Sequence, residues 1–416
     1  IWNIMEYTRP GRKEWVNIEE CYHRILAEDL VATIDIPWFR RSPYDGYALV
    51  AGSTEGANSV HPVYLEVLGT IGAGDHPDIE IKPGQAVKIM TGAPVPEGAN
   101  AVIMVELTKE IEKNGKTYVE IRRTLRDGEN IVQVGEDIKK GEVLVTKGSV
   151  IHPGVMAALA TFGYQRVPVM AKPKVAIIAT GTELLEAGEP MKKGKIRNSN
   201  SHMLRGQVIR AGGEVVFYRL VKDEFAETVQ AVKEALERTD LIITTGGVSV
   251  GDFDYIPQVY QRLGAKLLFN KVAMRPGSVT SSAVIDGKVL FGLSGNPSAC
   301  YVGFELFARP YIKALLEQKN IYPKKIRAVL GKDFVKANPF TRFVRAKVRD
   351  VGGVREAEPL RKDKSNIVSS LIDANSFIVL PGGTRGFRKG CQVDVLLLGD
   401  EEGAPNWNAT VASGWV

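Results

Sequence analysis

The sequence predicts a multidomain α/β protein organised around one doubly wound sheet, with β-rich units on either side. Three observations carry that expectation. From Lys172 to about Gln318, short apolar runs alternate with amphipathic stretches, the βαβα rhythm of a mostly parallel sheet covered by helices. From about Ala51 to Thr146 the pattern changes to short alternating runs punctuated by glycine and proline, which reads as hairpins. After Tyr322-Pro323 the composition turns β-rich again to about Leu398, the size of a small barrel or sandwich. At 416 residues the chain is too long for a single core.

Taken in order, the first fifty residues hold one expected helix, roughly Asn17 to Leu30, then the turn Arg41-Ser42-Pro43-Tyr44-Asp45-Gly46-Tyr47 with a carboxylate at its centre. The first β-rich stretch has expected strands at Val63 to Val67, Ala86 to Met90, Ala101 to Val105 and Tyr118 to Ile121. Its prominent turns are Met90-Thr91-Gly92-Ala93-Pro94 and Val134-Gly135-Glu136-Asp137. A short helix starts after Pro153 and stops at Gly163. In the α/β stretch, strand Val175 to Ala179 leads to Thr180-Gly181-Thr182-Glu183, and a helix follows Asn198-Ser199-Asn200. Strand Val215 to Leu220 leads to Lys222-Asp223. The next helix places Phe225, Val229, Val232 and Leu236 on one face. Strand Leu241 to Ile243 empties into Thr245-Gly246-Gly247, then Ser249, Gly251, Asp252 and Asp254. A helix is expected from Ile256 to Leu263 and a strand from Lys266 to Val272. Strand Val289 to Leu293 leads to Ser294-Gly295-Asn296-Pro297 and a long helix reaching about Glu317. The last unit has expected strands near Lys325 to Leu330, Phe343 to Val348, Phe377 to Leu380 and Val393 to Leu398. The aperiodic segment 400–416 is an expected disordered tail.

Composition narrows the function classes. The hydrophobic fraction is 44% and the charged fraction 25%, ordinary for a globular protein. No apolar run approaches the roughly 20 residues of a membrane span. Three cysteines lie far apart and suggest neither a zinc site nor a disulfide framework. The expected setting is cytoplasmic. A net charge of +6 permits anionic substrates, but no basic block is interleaved with stacking aromatics, so nucleic acid is not an expected partner.

Several familiar chemistries fail on inspection. Gly69-Thr70-Ile71-Gly72-Ala73-Gly74 has the wrong glycine spacing for a dinucleotide fingerprint. Gly115-Lys116-Thr117 lacks the first glycine of a P-loop, and Ser294 misses a nucleophile elbow because Asn296 stands where glycine is needed. The five histidines form no ligand pair. What remains is a set of carboxylates and Gly/Ser/Thr/Asn loops. Glu183, Asp223, Asp252 and Asp254 follow separate strands of one sheet, with Asn200 and Asn296 beside them. Carboxylates next to a glycine-rich strand-to-helix turn suit a phosphate that arrives with a divalent cation. Lys271 and Arg275 add positive charge for a phosphate or oxyanion.

These residues also carry a resemblance. Thr180-Gly181-Thr182-Glu183-Leu184, Thr245-Gly246-Gly247-Val248-Ser249-Val250-Gly251 with Asp254-Tyr255, and Gly292-Leu293-Ser294-Gly295-Asn296-Pro297 resemble the molybdopterin-binding domain. Asp45-Gly46-Tyr47-Ala48, Met90-Thr91-Gly92-Ala93 and Gly135-Glu136-Asp137-Ile138 are similar to the molybdopterin molybdenumtransferases, the family of MoeA and of the gephyrin C-terminal domain. The resemblance implies four parts: an elongated N-terminal domain (1–50 and 147–171), an inserted β domain (51–146), the molybdopterin-binding α/β domain (172–319) and a C-terminal β barrel (320–399). It implies a homodimer, and it leaves room for a molybdopterin adenylyltransferase as a partner.

The implied reaction takes adenylylated molybdopterin, hydrolyses its phosphoanhydride with Mg²⁺ or a similar divalent cation, releases AMP and inserts molybdate or tungstate at the dithiolene. The implied acidic set is Asp45, Asp137, Glu183, Asp223 and Asp254, with Asp254 and Asp45 as metal ligands, joined by Lys271 and Arg275. The implied substrate-binding loops contribute Thr91, Gly92, Gly181, Thr182, Ser199, Asn200, Gly246, Gly247, Ser249, Gly251, Gly295, Asn296 and Pro297. Molybdate is expected near Pro276, Ser298, Arg345 and Ser369 or Ser370. Ser278 and Val279 depart from the family, which often carries lysine then proline there, and that change bears on the choice of oxyanion. Two other readings share some of these residues: an adenylyltransferase acting on free molybdopterin, and a gephyrin-like scaffold without catalysis.

Overall fold

The computed structural model describes residues 1–247, 255–336, 339–360 and 364–399. Ser249, Gly251, Asp252, Asp254 and the expected tail 400–416 lie outside the described residues. The chain divides into two compact units, one of Asp29–Thr146 with Ala157–Gln165, the other of Ile1–Glu28, Lys147–Met156 and the chain from Arg166.

The α/β sheet of the larger unit explains why its strands read as unbroken apolar runs. Its order is Glu214–Val221, Lys174–Thr180, Leu241–Thr245, Lys288–Leu293, Ser281–Ile285 and Lys266–Phe269. The first four are parallel and the last two antiparallel. On strand Lys174–Thr180, Val175 and Ile177 face one core with Leu204, Val208, Cys300 and Phe304. Ala176 and Ile178 face the other, with Ala231, Val232, Ile256 and Val259. Helices Asn200–Arg210 and Pro297–Gly303 therefore cover one face, and Phe225–Arg238 and Ile256–Arg262 the other. A strand buried on both faces loses the polar alternation of an exposed sheet. The antiparallel hairpin turns at Asp286-Gly287, both with positive φ (50° and 70°), the two-residue geometry that matches strand twist.

Chain order makes Lys174–Thr180 the switch point, because its successors add first on one side and then on the other. Ligand crevices in such sheets open at the carboxyl ends of the strands at that point. The helix from Pro297 runs through a π-helical segment, Phe304–Ala308, into Arg309–Leu315, so the expected long helix is present with an internal irregularity.

The C-terminal strands close into a five-stranded barrel: Thr341–Val351, Val354–Pro359, Lys325–Leu330, Gln392–Leu397 and Ser376–Leu380, with the last pairing back to the first. Leu330, Val344, Ala346, Ile378 and Val395 fill it. Met274–Arg275 adds to its edge parallel to Thr341–Arg342, tying the basic turn of the α/β sheet to a barrel strand.

The smaller unit has a six-stranded sheet in the order Ala101–Met104, Gly46–Leu49, Gln85–Ile89, Val63–Ile71, Lys116–Ile121 and Thr108–Lys113. Tyr47 and Leu49 enter one core and Ala48 the other, the two-residue alternation of a strand packed on both sides. The expectation of hairpins alone is corrected, since Val63–Ile71 and Gln85–Ile89 run parallel.

The expected helix from Asn17 to Leu30 is not formed. Only one 3₁₀ turn, Ile18–Glu20, appears, and His23 adopts a left-handed φ of 59°. Ile25 and Leu26 instead bridge to Val150 and Val169. Pairing with segments distant in sequence outcompetes the local helical preference.

Candidate functional site

A cleft of about 900 Å³ opens at the carboxyl ends of the parallel strands. Four strands bring their terminal loops to it: Thr180 and Glu183 after the first, Asp223 after the second, Gly246 and Gly247 after the third, and Ser294 to Pro297 after the fourth. Ser199 and Asn200, at the start of their helix, also line it.

The glycines are required by space. Gly246 has a φ of 96°, and a Cβ there would stand 2.2 Å from the Thr180 carbonyl oxygen. A Cβ on Gly295 would sit 3.5 Å from Gly246 Cα, so two loop backbones pass side by side. That proximity leaves main-chain N–H groups near the cleft without side chains in the way.

Asn200 fastens these loops together. Its Nδ2 donates to Thr245 Oγ1 at 2.9 Å and to the Gly295 carbonyl at 2.9 Å. Its Oδ1 is buried and has no donor among the described residues. Asp223 is oriented by the neighbouring loop: its Oδ2 accepts from the Thr182 N–H at 2.9 Å, and Tyr255 donates its hydroxyl to Oδ1 at 3.4 Å. Burial pushes the Tyr255 phenol up, so it remains a donor throughout the neutral range.

The barrel side of the cleft is cationic. Arg275, Arg342, Arg345 and Lys364 line it with Pro276 and Ser278, and Arg197 lies on the cleft as well. Arg275 pairs in register with Arg342 across the strand junction, and its guanidinium lies 5.9 Å from the Phe340 ring centre. Arg345 is 2% exposed. Its Nε donates to Ser370 Oγ at 2.8 Å and one terminal nitrogen donates to the Lys364 carbonyl at 3.1 Å. Ser298 gives its N–H to the Ser365 carbonyl at 3.0 Å and its hydroxyl to Ile367 O at 2.7 Å.

Of the residues expected from sequence in this unit, Glu183, Asp223, Ser199, Asn200, Gly246, Gly247, Arg275, Pro276, Gly295, Asn296, Pro297 and Arg345 converge on the cleft. Gly181, Thr182, Lys271, Ser298, Ser369 and Ser370 are not on its lining. Thr182 orients Asp223, Ser298 and Ser370 bond to the barrel-side framework, and Lys271 and Ser369 are exposed. Sequence reasoning missed Arg197, Arg342 and the Lys364-Ser365-Asn366 loop. The available signal for Arg342 was its place at the start of a strand that pairs with the Arg275 segment.

Asp45, Thr91, Gly92 and Asp137 belong to the other unit. There Gly92 donates its N–H to the Ser42 carbonyl at 2.8 Å, locking the two turns together. Asp45 Oδ1 then accepts from the Thr91 N–H at 2.7 Å and from its hydroxyl at 2.8 Å. Those bonds, the backbone one first, hold the carboxyl below its usual range, so Asp45 is an anion at neutral pH. Asp137 is exposed after Gly135, whose φ of 69° makes the turn. Among the described residues no three His, Cys, Asp or Glu side chains gather as a metal-ligand group.

Comparison with known proteins decides the family. The chain matches the MoeA N-terminal region (domains I and II) over residues 2–163, the probable molybdopterin-binding domain over 176–314, and the MoeA C-terminal region (domain IV) over 327–398. It is 53% identical to a molybdopterin molybdenumtransferase of Bacillus subtilis, covering 99% of this chain and 96% of that protein. The chain belongs to the molybdopterin molybdenumtransferase family. A molybdenumtransferase of Staphylococcus aureus is 49% identical, covering 92% of this chain and 90% of that protein. A crystal structure of the molybdopterin biosynthesis MoeA protein of Pyrococcus horikoshii superposes with a TM-score of 0.80 at 33% identity, covering 95% of this chain and 97% of that one. The fold read from sequence, an α/β domain with a β-rich unit and a C-terminal barrel, is the fold of this family.

Proposed function

We propose that the protein is a molybdopterin molybdenumtransferase that takes adenylylated molybdopterin, cleaves its phosphoanhydride, releases AMP and joins molybdate or tungstate to the dithiolene. The observation that carries this reading is one cleft that joins a glycine-walled phosphate cradle, two carboxylates and a cationic barrel wall. Main-chain N–H groups of Gly247 and Gly295 take the terminal phosphate of the pterin, beside Gly246, whose own N–H goes to the Leu293 carbonyl at 3.2 Å. Arg275, Arg342 and Arg345 supply the positive potential that draws a dianionic oxyanion to the same cleft.

Residues on the cleft fit a hard divalent cation such as Mg²⁺. Glu183 and Asp223 offer carboxylate oxygens as ligands, and the buried Asn200 Oδ1 is an oxygen without a donor among the described residues. Asp254 joins this set by its place in the sequence motif. A divalent cation held by these oxygens would supply positive charge to offset that of the phosphates. Asp45, held anionic by Thr91, and Asp137 are the further acidic groups of the reading, with Lys271 a neighbouring cation. We further propose a homodimer, a cytoplasmic setting and delivery of the adenylylated pterin by an adenylyltransferase.

The purified protein, given adenylylated molybdopterin, Mg²⁺ and molybdate, is expected to release AMP in step with pterin consumed. Incorporation of AMP from ATP into free molybdopterin, with no AMP release, would sink this assignment in favour of an adenylyltransferase.

A further inference from the structure

We propose that Lys364 is a direct contact for a tetrahedral oxyanion in the cleft, presented by a loop that Ser298 and Arg345 hold by its backbone. This rests on the transferase reading and adds a ligand-binding residue that the sequence motifs did not mark. Lys364, Ser365 and Asn366 line the cleft. The groups that fix the loop reach main-chain oxygens: Arg345 bonds the Lys364 carbonyl at 3.1 Å, and Ser298 bonds the Ser365 and Ile367 carbonyls at 3.0 and 2.7 Å. Clamping by carbonyls fixes where the loop runs and leaves its side chains uncommitted.

The cations of this wall are unequally engaged. Arg345 is buried and donates to Ser370 and to the loop. Arg275 lies against Phe340. Lys364 is exposed to the cleft, and its ammonium has no hydrogen bond or ion pair among the described residues. A lysine ammonium is a compact charge with three rotatable donors, suited to one face of a tetrahedral dianion, where a planar guanidinium favours a two-oxygen edge. Holding the loop rigid lowers the cost of placing that charge.

Two tetrahedral oxyanions reach this cleft in the proposed reaction, free molybdate and the terminal phosphate of the pterin. Lys364→Gln separates them. Its half-saturating concentrations for molybdate and for adenylylated molybdopterin are measured in AMP release, and binding of molybdate and of inorganic phosphate alone is measured by calorimetry. Loss of one charge-assisted bond is expected to weaken one oxyanion about tenfold or more. A rise confined to molybdate assigns Lys364 to the metal oxyanion, and a rise confined to the pterin assigns it to the phosphate. Lys364→Arg is expected to recover most of the loss, while Lys233→Gln, an exposed helix lysine away from the cleft, stays at the wild-type values. Unchanged constants for both substrates and unchanged binding of both anions would overturn the proposal. Wild-type protein that releases no AMP but binds molybdate through Lys364 would instead overturn the transferase reading and leave the contact standing.

Discussion

Glu305→Ala is expected to cost about 3–5 kcal/mol of unfolding free energy, the range found when one partner of a buried ion pair is removed. Glu305 is fully buried in the π-helical segment. Its carboxylate accepts from Gln207 Nε2 at 2.7 Å, from the Arg210 guanidinium and from Arg309 Nη1 at 2.7 Å. Helix Asn200–Arg210 is thereby joined to the long helix that begins at Pro297, and both helices start at the cleft. Burial first, then Arg309 nearby, holds the Lys313 ammonium down to about 8, while Glu305 pulls it the other way. Deleting Glu305 removes the buried acid that Arg210 and Arg309 share and that attracts the nearby Lys313 ammonium. Chemical denaturation of Glu305→Ala and Glu305→Gln measures the effect. Glu305→Gln should fall between wild type and alanine, because it keeps the acceptor and loses the charge. A loss below about 1 kcal/mol for alanine would mean that the cluster is solvated and contributes as a surface pair does.

Gly246→Ala is expected to lower AMP release by about a hundredfold, the scale of a 1 Å misplacement in a reacting site. The cause is local: the new Cβ would meet the Thr180 carbonyl at 2.2 Å in a backbone conformation that L-residues disfavour. Either the Gly246 loop or the end of the switch-point strand must move, and both line the cleft. A stability loss of about 1–3 kcal/mol should accompany it. Gly295→Ala is the informative contrast, since its Cβ would make ordinary contact at 3.5 Å without a left-handed φ. It should fold like wild type. Equal activity in wild type and Gly246→Ala would remove this loop from the phosphate site.

Much of this was legible because strand ends announce themselves. Thr180, Asp223, Thr245 and Ser294 each follow an apolar run, and one parallel sheet brings such ends to one edge. The carboxylates and glycines of those loops could therefore be grouped without coordinates. The cationic wall was less accessible. Lys364 follows no periodic segment, and its place depends on Ser298 and Arg345 bonding to the backbone around it, which no residue pattern encodes. Ser298 and Arg345 were expected at the oxyanion, but spacing cannot distinguish a side chain that touches a ligand from one that holds the loop that does. The helix expected from Asn17 to Leu30 failed for a related reason, because its apolar residues pair with segments beyond Thr146.

The central claim is transfer of metal to the pterin, and it is tested most directly by following the metal. Protein incubated with adenylylated molybdopterin, Mg²⁺ and radiolabelled molybdate, then mixed with the metal-free apo form of a molybdenum enzyme, should restore that enzyme's activity. The account predicts one labelled molybdenum delivered per AMP released. AMP release with no labelled metal on the pterin and no restored activity would contradict it.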